Sequence, residues 1–177
     1  MAIDYEKRDG VAYITLNQPE KANLLDKETS EQISEAWIDM WEDREIRCGI
    51  LTGTGDRHFC AGHNLTPNPE LTAEEREYLR AQRIYWPLAG TVNGAKTGVD
   101  GRMGDHYPRV WKPVIGAVNG WAAGAGLYLL LASTDIRIAS AEHARFKFAL
   151  LSQGWLGNGP GATLLMKQLR YADAMRI

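Results

Sequence analysis

Residues 114–140, VIGAVNGWAAGAGLYLLLASTDIRIAS, constrain the fold of this chain more than any other stretch. Val114–Val118 is a short apolar run rich in β-branched residues, bounded by Pro113 and by Asn119-Gly120, as an interior strand would be. Gly124-Ala125-Gly126 then allows a tight turn and a close approach by a ligand, because these positions carry little or no side chain. The apolar run 127–132 suits a buried helix, and a second strand-like segment ends at Ser140. Strand, glycine turn, buried helix and strand in succession imply an α/β architecture. The first free N–H groups of that helix would point out of the turn, where its dipole favours negative charge.

A second turn of this kind lies upstream. Residues 49–52 read as the end of a buried strand, Gly53-Thr54-Gly55-Asp56-Arg57 as a loop, and Ala61-Gly62-His63 as another stretch of exposed backbone. Two exposed backbone segments, each after a buried strand, are what a two-donor oxyanion hole requires.

With these motifs the chain resembles the crotonase superfamily, the enoyl-CoA hydratase/isomerase group. Asn17-Gln18-Pro19-Glu20-Lys21-Ala22-Asn23-Leu24 looks like that family's N-terminal turn. Ile50-Leu51-Thr52-Gly53 with Phe59-Cys60-Ala61-Gly62-His63-Asn64-Leu65 resembles its "LTG…FxAGxDL" segment. Ala117-Val118-Asn119-Gly120 with Gly124-Ala125-Gly126 resembles its "AVNGxAxGGG", and Asp135-Ile136-Arg137-Ile138-Ala139-Ser140 and residues 154–163 complete the order. The resemblance implies a crotonase-like (ClpP/crotonase) fold of repeated ββα units. It places the two carbonyl-binding N–H groups on His63 and Ala125. Coenzyme A is expected against Lys21, Ala22, Asn23 and Leu24 and the strand leading through Ala61 and Gly62, with Gly124 beside it and Lys21 and Arg57 as phosphate contacts. No cofactor beyond the coenzyme A moiety is implied, and the family assembles as trimers or dimers of trimers.

The chain departs from the family where its hydratases carry two glutamates. Tyr128 stands at the first position, and Ala149-Leu150 replace a Pro-Glu pair at the second. Leu150 transfers no proton, and Tyr128, with an ordinary pKa near 10, is a poor base at neutral pH. Two-carboxylate hydration is therefore not expected. His63, whose imidazole titrates near neutrality, His106 with Asp105, Tyr128, Gln153 and Asn158 are the candidates for moving protons. Trp86, Tyr107 and Trp111 are candidate walls of an acyl pocket. Each has a plain packing or surface role as its alternative. An isomerase that relies on the second carboxylate is equally unexpected, and hydration by another route, isomerisation, decarboxylation and thioester or C–C hydrolysis stay open, since all pass through a stabilised enolate or related oxyanion. The functional alternative is a catalytically silent CoA-binding or assembly subunit.

Composition excludes several classes. The 177 residues are 45% hydrophobic with a formal net charge of −2, enough for one core in a single domain over 1–177 and without a basic surface for nucleic acid. No run approaches the roughly 18 apolar residues of a membrane span. Cys48 and Cys60 form no CxxC or Cys/His cluster, so neither a disulfide framework nor a metal site is expected, in keeping with a reducing cytoplasm. Cys60 has no evident activating base. The glycine clusters fail the nucleotide-binding spacings, since Gly124-x-Gly126 runs into Leu127-Tyr128-Leu129 and no GxxxxGK[ST] occurs.

Elsewhere, Ile3–Arg8 and Val11–Leu16 read as a hairpin across Asp9-Gly10. An Asp26 N-cap opens a helix to about Arg44, its apolar face carrying Ile33, Trp37, Met40 and Trp41. Residues 69–84 read as an exposed helix and 91–108 as a mobile loop. A last helix beginning near Pro160 is expected to run to the end, so the family's C-terminal helical region is expected to be absent or truncated.

Overall fold

The computed structural model describes residues 1–64, 72–74, 91–92, 95–96, 110–149 and 161–176. The first hairpin pairs β1 (Ile3–Arg8) with β2 (Val11–Leu16), from Ile3 opposite Leu16 to Arg8 opposite Val11. Asp9 and Gly10 take φ values of 53° and 79°, the left-handed pair that suits a two-residue turn between twisted strands. Helix α1 (Lys27–Glu42) starts where Asp26 accepts a hydrogen bond from the Thr29 amide at 2.9 Å, satisfying one of the first-turn donors.

Beyond α1 the chain repeats. The strand pairs β3 (Cys48–Gly53) with β4 (His58–Cys60), β7 (Val114–Val118) with β8 (Trp121–Ala123), and β9 (Ile136–Ala139) with β10 (Arg145–Lys147) each divide between two sheets. The first strand of each pair joins a five-stranded sheet in the order β1-β2-β3-β7-β9, and the second a three-stranded sheet in the order β10-β8-β4. All neighbours in these repeats are parallel. Helix α2 (Ala125–Ser133) follows β8, and α3 (Gly161–Gln168) and α4 (Tyr171–Ala174) follow β10. The repeated ββα organisation expected from the sequence is present.

Burial alternates along β2, β3 and β7, so one face of the large sheet is closed. On that face lie Ile14, Leu16, Leu51 and Val118, with Ile33, Trp37 and Met40 of α1 and Leu129 and Leu130 of α2, all nearly inaccessible to solvent. Two glycines set how near the helices come. A Cβ on Gly49 would lie 2.8 Å from the Met40 sulfur, and one on Gly116 would lie 2.6 Å from a Leu130 methyl. Lys112 donates from Nζ to the carbonyls of Met40 and Asp43 at 2.7 and 2.6 Å, closing the C-terminal end of α1.

Three sequence expectations are corrected, and three short strands that the sequence left unassigned, His58–Cys60, Trp121–Ala123 and Arg145–Lys147, form the second sheet. Residues 91–108 are not wholly loop, since β5 (Thr91–Val92) and β6 (Ala95–Lys96) pair antiparallel, with the turn-favouring dipeptide Asn93-Gly94 between them. Trp41 is 41% exposed rather than part of the buried face of α1, which instead includes Ala36, Ser30 and Ser34. The final helix does not run through: Arg170 adopts extended backbone (φ −61°, ψ 142°) between α3 and α4, and its carbonyl accepts from the Asp173 and Ala174 amides to start the second helix. The expected helix over 69–84 lies outside the described residues apart from 72–74.

Candidate active site

The two small-residue turns meet. Gly62 has φ +99°, a conformation side chains rarely adopt, and a Cβ there would lie 2.8 Å from the Ala123 carbonyl oxygen and 2.9 Å from the Ala125 nitrogen. Gly126 is equally confined, because its Cβ would run into the Cys60 carbonyl. Only glycine lets the strand after β4 lie directly against the first turn of α2.

Each turn aims its backbone. The chain around Leu25 bridges that around His63 in parallel: the Leu25 amide donates to the Gly62 carbonyl at 2.8 Å, and the Asn64 amide to the Leu25 carbonyl at 3.1 Å. Since consecutive peptide groups of an extended strand face opposite ways, the His63 N–H points away from Leu25. Across from it, the Gly124 carbonyl already accepts from the Leu127 and Tyr128 amides at 3.1 and 3.2 Å, so Ala125 is the first residue of α2. Its N–H precedes any intrahelical acceptor and carries the positive end of the helix dipole. The structure thus brings together Ala61, Gly62, His63, Gly124 and Ala125. Backbone donors on both sides, held by packed glycines, can take up negative charge on an oxygen.

Tyr128 sits at the fourth position of α2, half-buried, its ring 5.9 Å from that of Phe148 and tilted by 46°. Burial pushes its phenol up to about 12, so at neutral pH it is a hydrogen-bond donor and not a base. The Nε2 of His63 is shielded from solvent. His58, at the start of β4, is held below its ordinary pKa by burial and then by the Arg57 charge, which favours neutral imidazole. Cys60 is fully buried, which removes it as an accessible nucleophile.

The turn expected to meet coenzyme A has a structural task of its own. Ala22 and Asn23 both take left-handed backbone, with φ of 57° and 51°, and the Ala22 carbonyl accepts from the Ala61 amide at 3.1 Å. The Asn23 amide is buried and committed: Oδ1 accepts from the Gln18 N–H at 3.0 Å, while Nδ2 donates to the carbonyls of His58 and Thr54 at 2.8 and 3.2 Å. Leu24 is half-buried and Lys21 exposed. Arg57, also exposed, lies on the neighbouring loop, since a Cβ on Gly55 would touch Pro19 at 3.9 Å.

Trp111 is 85% exposed and precedes β7, at the other end of that strand from Asn119-Gly120, so it is not brought together with the two turns. Trp86, Asp105, His106, Tyr107, Leu150, Gln153 and Asn158 lie outside the described residues. Among the described residues no group of three or more His, Cys, Asp or Glu side chains could hold a metal, and no helix is long and apolar enough to cross a membrane. Asn119, which the sequence marked only as a strand-end and motif residue before a turn glycine, proves to be a second, half-buried tie: it accepts from the Gly53 amide at 3.2 Å and donates to the Gly55 and His58 carbonyls at 2.6 and 3.2 Å. An Asn-Gly pair at the end of a buried strand is the signal that could have found it.

Comparison with known proteins agrees with this architecture. The family described as enoyl-CoA hydratase/isomerase matches residues 6–177. The chain is 33% identical to (E)-benzylidenesuccinyl-CoA hydratase of Thauera aromatica, a match covering 100% of this chain and 61% of that protein. It is 36% identical to 1,2-epoxyphenylacetyl-CoA isomerase of Escherichia coli (strain K12), over 94% of this chain and 57% of that protein. Among solved structures, a carnitinyl-CoA dehydratase from Mycobacterium avium 104 superposes with a TM-score of 0.76 at 30% identity, covering 99% of this chain and 60% of the other. The chain therefore spans about three-fifths of the length of these relatives.

Proposed function

Because the chain belongs to the enoyl-CoA hydratase/isomerase family, we propose that it binds an acyl-CoA thioester and polarises its carbonyl between the backbone N–H groups of His63 and Ala125. The observation that carries this reading is the packing of the Gly62 α-carbon against the Ala125 nitrogen, which sets two strand-end turns side by side. A thioester oxygen there accepts from both amides, and negative charge moves onto it as the α-carbon or β-carbon reacts. By mutational precedent one such donor contributes roughly 3–4 kcal/mol to transition-state stabilisation.

The amides do not transfer protons, so reaction type is decided by side chains. Tyr128 stands where the family's hydratases carry a glutamate, and its neutral phenol donates rather than abstracts. This disfavours two-glutamate hydration and leaves isomerisation, decarboxylation, hydrolysis or a hydration run by other groups, with His63, His106 and Asn158 as candidates to handle protons. Coenzyme A rests against the turn from Lys21 to Leu24, and Lys21 and Arg57, on adjacent exposed loops, meet its phosphates. The substrate's coenzyme A is the sole cofactor, and trimers or dimers of trimers are the assembly expected of such a protein. The missing carboxylate also favours, as a second reading, a catalytically silent CoA-binding subunit.

The test is difference infrared spectroscopy on the purified protein with a short 2-enoyl-CoA and a phenyl-bearing acyl-CoA, each carrying a 13C label at the thioester carbonyl, alongside native mass spectrometry. A carbonyl stretch lowered on binding supports the reading, and product formation separates the enzyme from the silent subunit. Binding with an unshifted carbonyl, or no binding of any thioester, would overturn it.

A further inference from the structure

Two asparagines far apart in sequence share one acceptor. The His58 carbonyl receives the side-chain amide of Asn23 at 2.8 Å and that of Asn119 at 3.2 Å. Asn23 also holds the Thr54 carbonyl and the Gln18 amide, and Asn119 the Gly55 carbonyl and the Gly53 amide. Between them they fix the loop from Gly53 to His58 at both ends. The loop has no slack for another arrangement. A Cβ on Gly53 would fall 2.7 Å from the Asn23 nitrogen and 2.8 Å from the His58 oxygen, and one on Gly120 would fall 2.6 Å from the His58 nitrogen.

The position of this clasp in the chain gives it a consequence for the site. His58 begins β4, which leads directly to the Gly62-His63 peptide. Asn119 directly follows β7 and opens the turn into β8, which leads to Gly124 and Ala125. Asn23 lies in the turn whose Ala22 and Leu25 backbone groups strap Ala61, Gly62 and Asn64. Strands β4 and β8 pair from His58 opposite Trp121, but their register slips between His58 and Cys60, so ladder pairing alone leaves the spacing of the two turns loosely determined. The fixed point is the His58 carbonyl.

We propose that Asn119, together with Asn23, is a positioning residue that sets the spacing between the His63 and Ala125 amides by clamping the His58 carbonyl from both sides. The inference rests on the carbonyl-polarising reading of those amides. A hole formed by backbone cannot be tuned by rotamers, so its geometry depends on whatever fixes the strands, and an ångström of drift lowers rate by about a hundredfold.

Asn119→Asp is the sharpest variant. It keeps an acceptor for the Gly53 amide but faces the Gly55 and His58 carbonyls with an oxygen instead of an N–H. Asn119→Ser and Asn23→Ser remove the donors more gently. Thr54→Ala is the control in the same loop, since among the described residues the Thr54 hydroxyl bonds only to Asn17. Three quantities are read for each protein: affinity for free coenzyme A, thermal midpoint, and the infrared shift of the 13C-labelled thioester at saturation. The expected result is a carbonyl shift mostly lost in the Asn119 and Asn23 variants, with coenzyme A affinity retained in the Asn119 variants, which lie outside the turn that meets coenzyme A, and Thr54→Ala like the parent. A full shift in folded Asn119→Asp and Asn119→Ser overturns the proposal, as does unfolding of every clasp variant, which would make the ties supports of the fold alone. An unshifted carbonyl in the parent protein would instead strike the functional reading beneath it.

Discussion

Replacing Gly62 by alanine tests the closeness of the two turns directly. At φ +99° an alanine is strained by about 1–3 kcal/mol. Its methyl would also stand 2.8 Å from the Ala123 oxygen and 2.9 Å from the Ala125 nitrogen, both backbone atoms that no rotamer change can move aside. Overpacking of that kind adds about 1–3 kcal/mol. The sum, about 2–6 kcal/mol, corresponds to a thermal midpoint lowered by about 2–4 °C per kcal/mol in a chain of this size. Gly55→Ala calibrates the first part alone: φ is +88°, but the nearest atom a Cβ would meet is 3.9 Å away. The difference between the two variants therefore isolates the contact at the site. The strain is relieved by parting the turns, so Gly62→Ala loses thioester polarisation and, where turnover is found, about 100- to 1,000-fold in rate, as when a donor is removed. Gly55→Ala keeps both. Equal infrared shifts and equal destabilisation in the two variants would refute the argument that Gly62 packs on the Ala125 amide.

Two further outcomes follow from local chemistry. The Tyr128 phenol, pushed up to about 12 in the folded protein against about 10 when unfolded, keeps its proton longest in the native state, so its contribution to stability is complete below about pH 10 and lost as pH rises toward 12. Tyr128→Phe should flatten that alkaline loss in urea titrations while adding or removing no ionisation in the rate profile between about pH 6 and about pH 9; a displaced neutral-range ionisation would make Tyr128 an acid–base group after all. Asp26→Ala removes the cap on the Thr29 amide and should destabilise the protein by about 0.5–2 kcal/mol in denaturant unfolding, whereas an unchanged midpoint would mean that water replaces the cap without loss.

What the sequence disclosed depended on how much of each element's environment lies within the element. Strands β2 and β7 alternate or run apolar for five or six residues, so their period and ends are readable, and Asp26 announces the start of α1 by its own side chain. Strands β4, β8 and β10 have three residues each, too few for a period, and they are extended because they pair with one another. Trp41 misled because it stands at the margin of the apolar stripe. The buried face takes Ser30 and Ser34 instead, and the Ser34 hydroxyl is satisfied by the Ser30 carbonyl at 2.9 Å. The two turns of the site were legible because only small residues permit them. The convergence of Asn23 and Asn119 on one carbonyl was not, since neither residue's neighbours in sequence contain the other.

A site whose charged intermediate is held by main-chain amides separates two tasks that side-chain catalysis joins. On the proposed function the carbonyl is met by groups that every residue possesses, so what the hole asks of His63 and Ala125 is backbone geometry, set by the glycines beside them. Proton transfer is left to residues that can change without disturbing the hole, as Tyr128 does by filling a helical position against Phe148 with the fold intact. In this chain the frame carries, one turn into α2, a phenol that stays protonated at neutral pH. On the proposed function, that position serves steps in which a neutral donor steadies developing negative charge, and the base acts from outside α2.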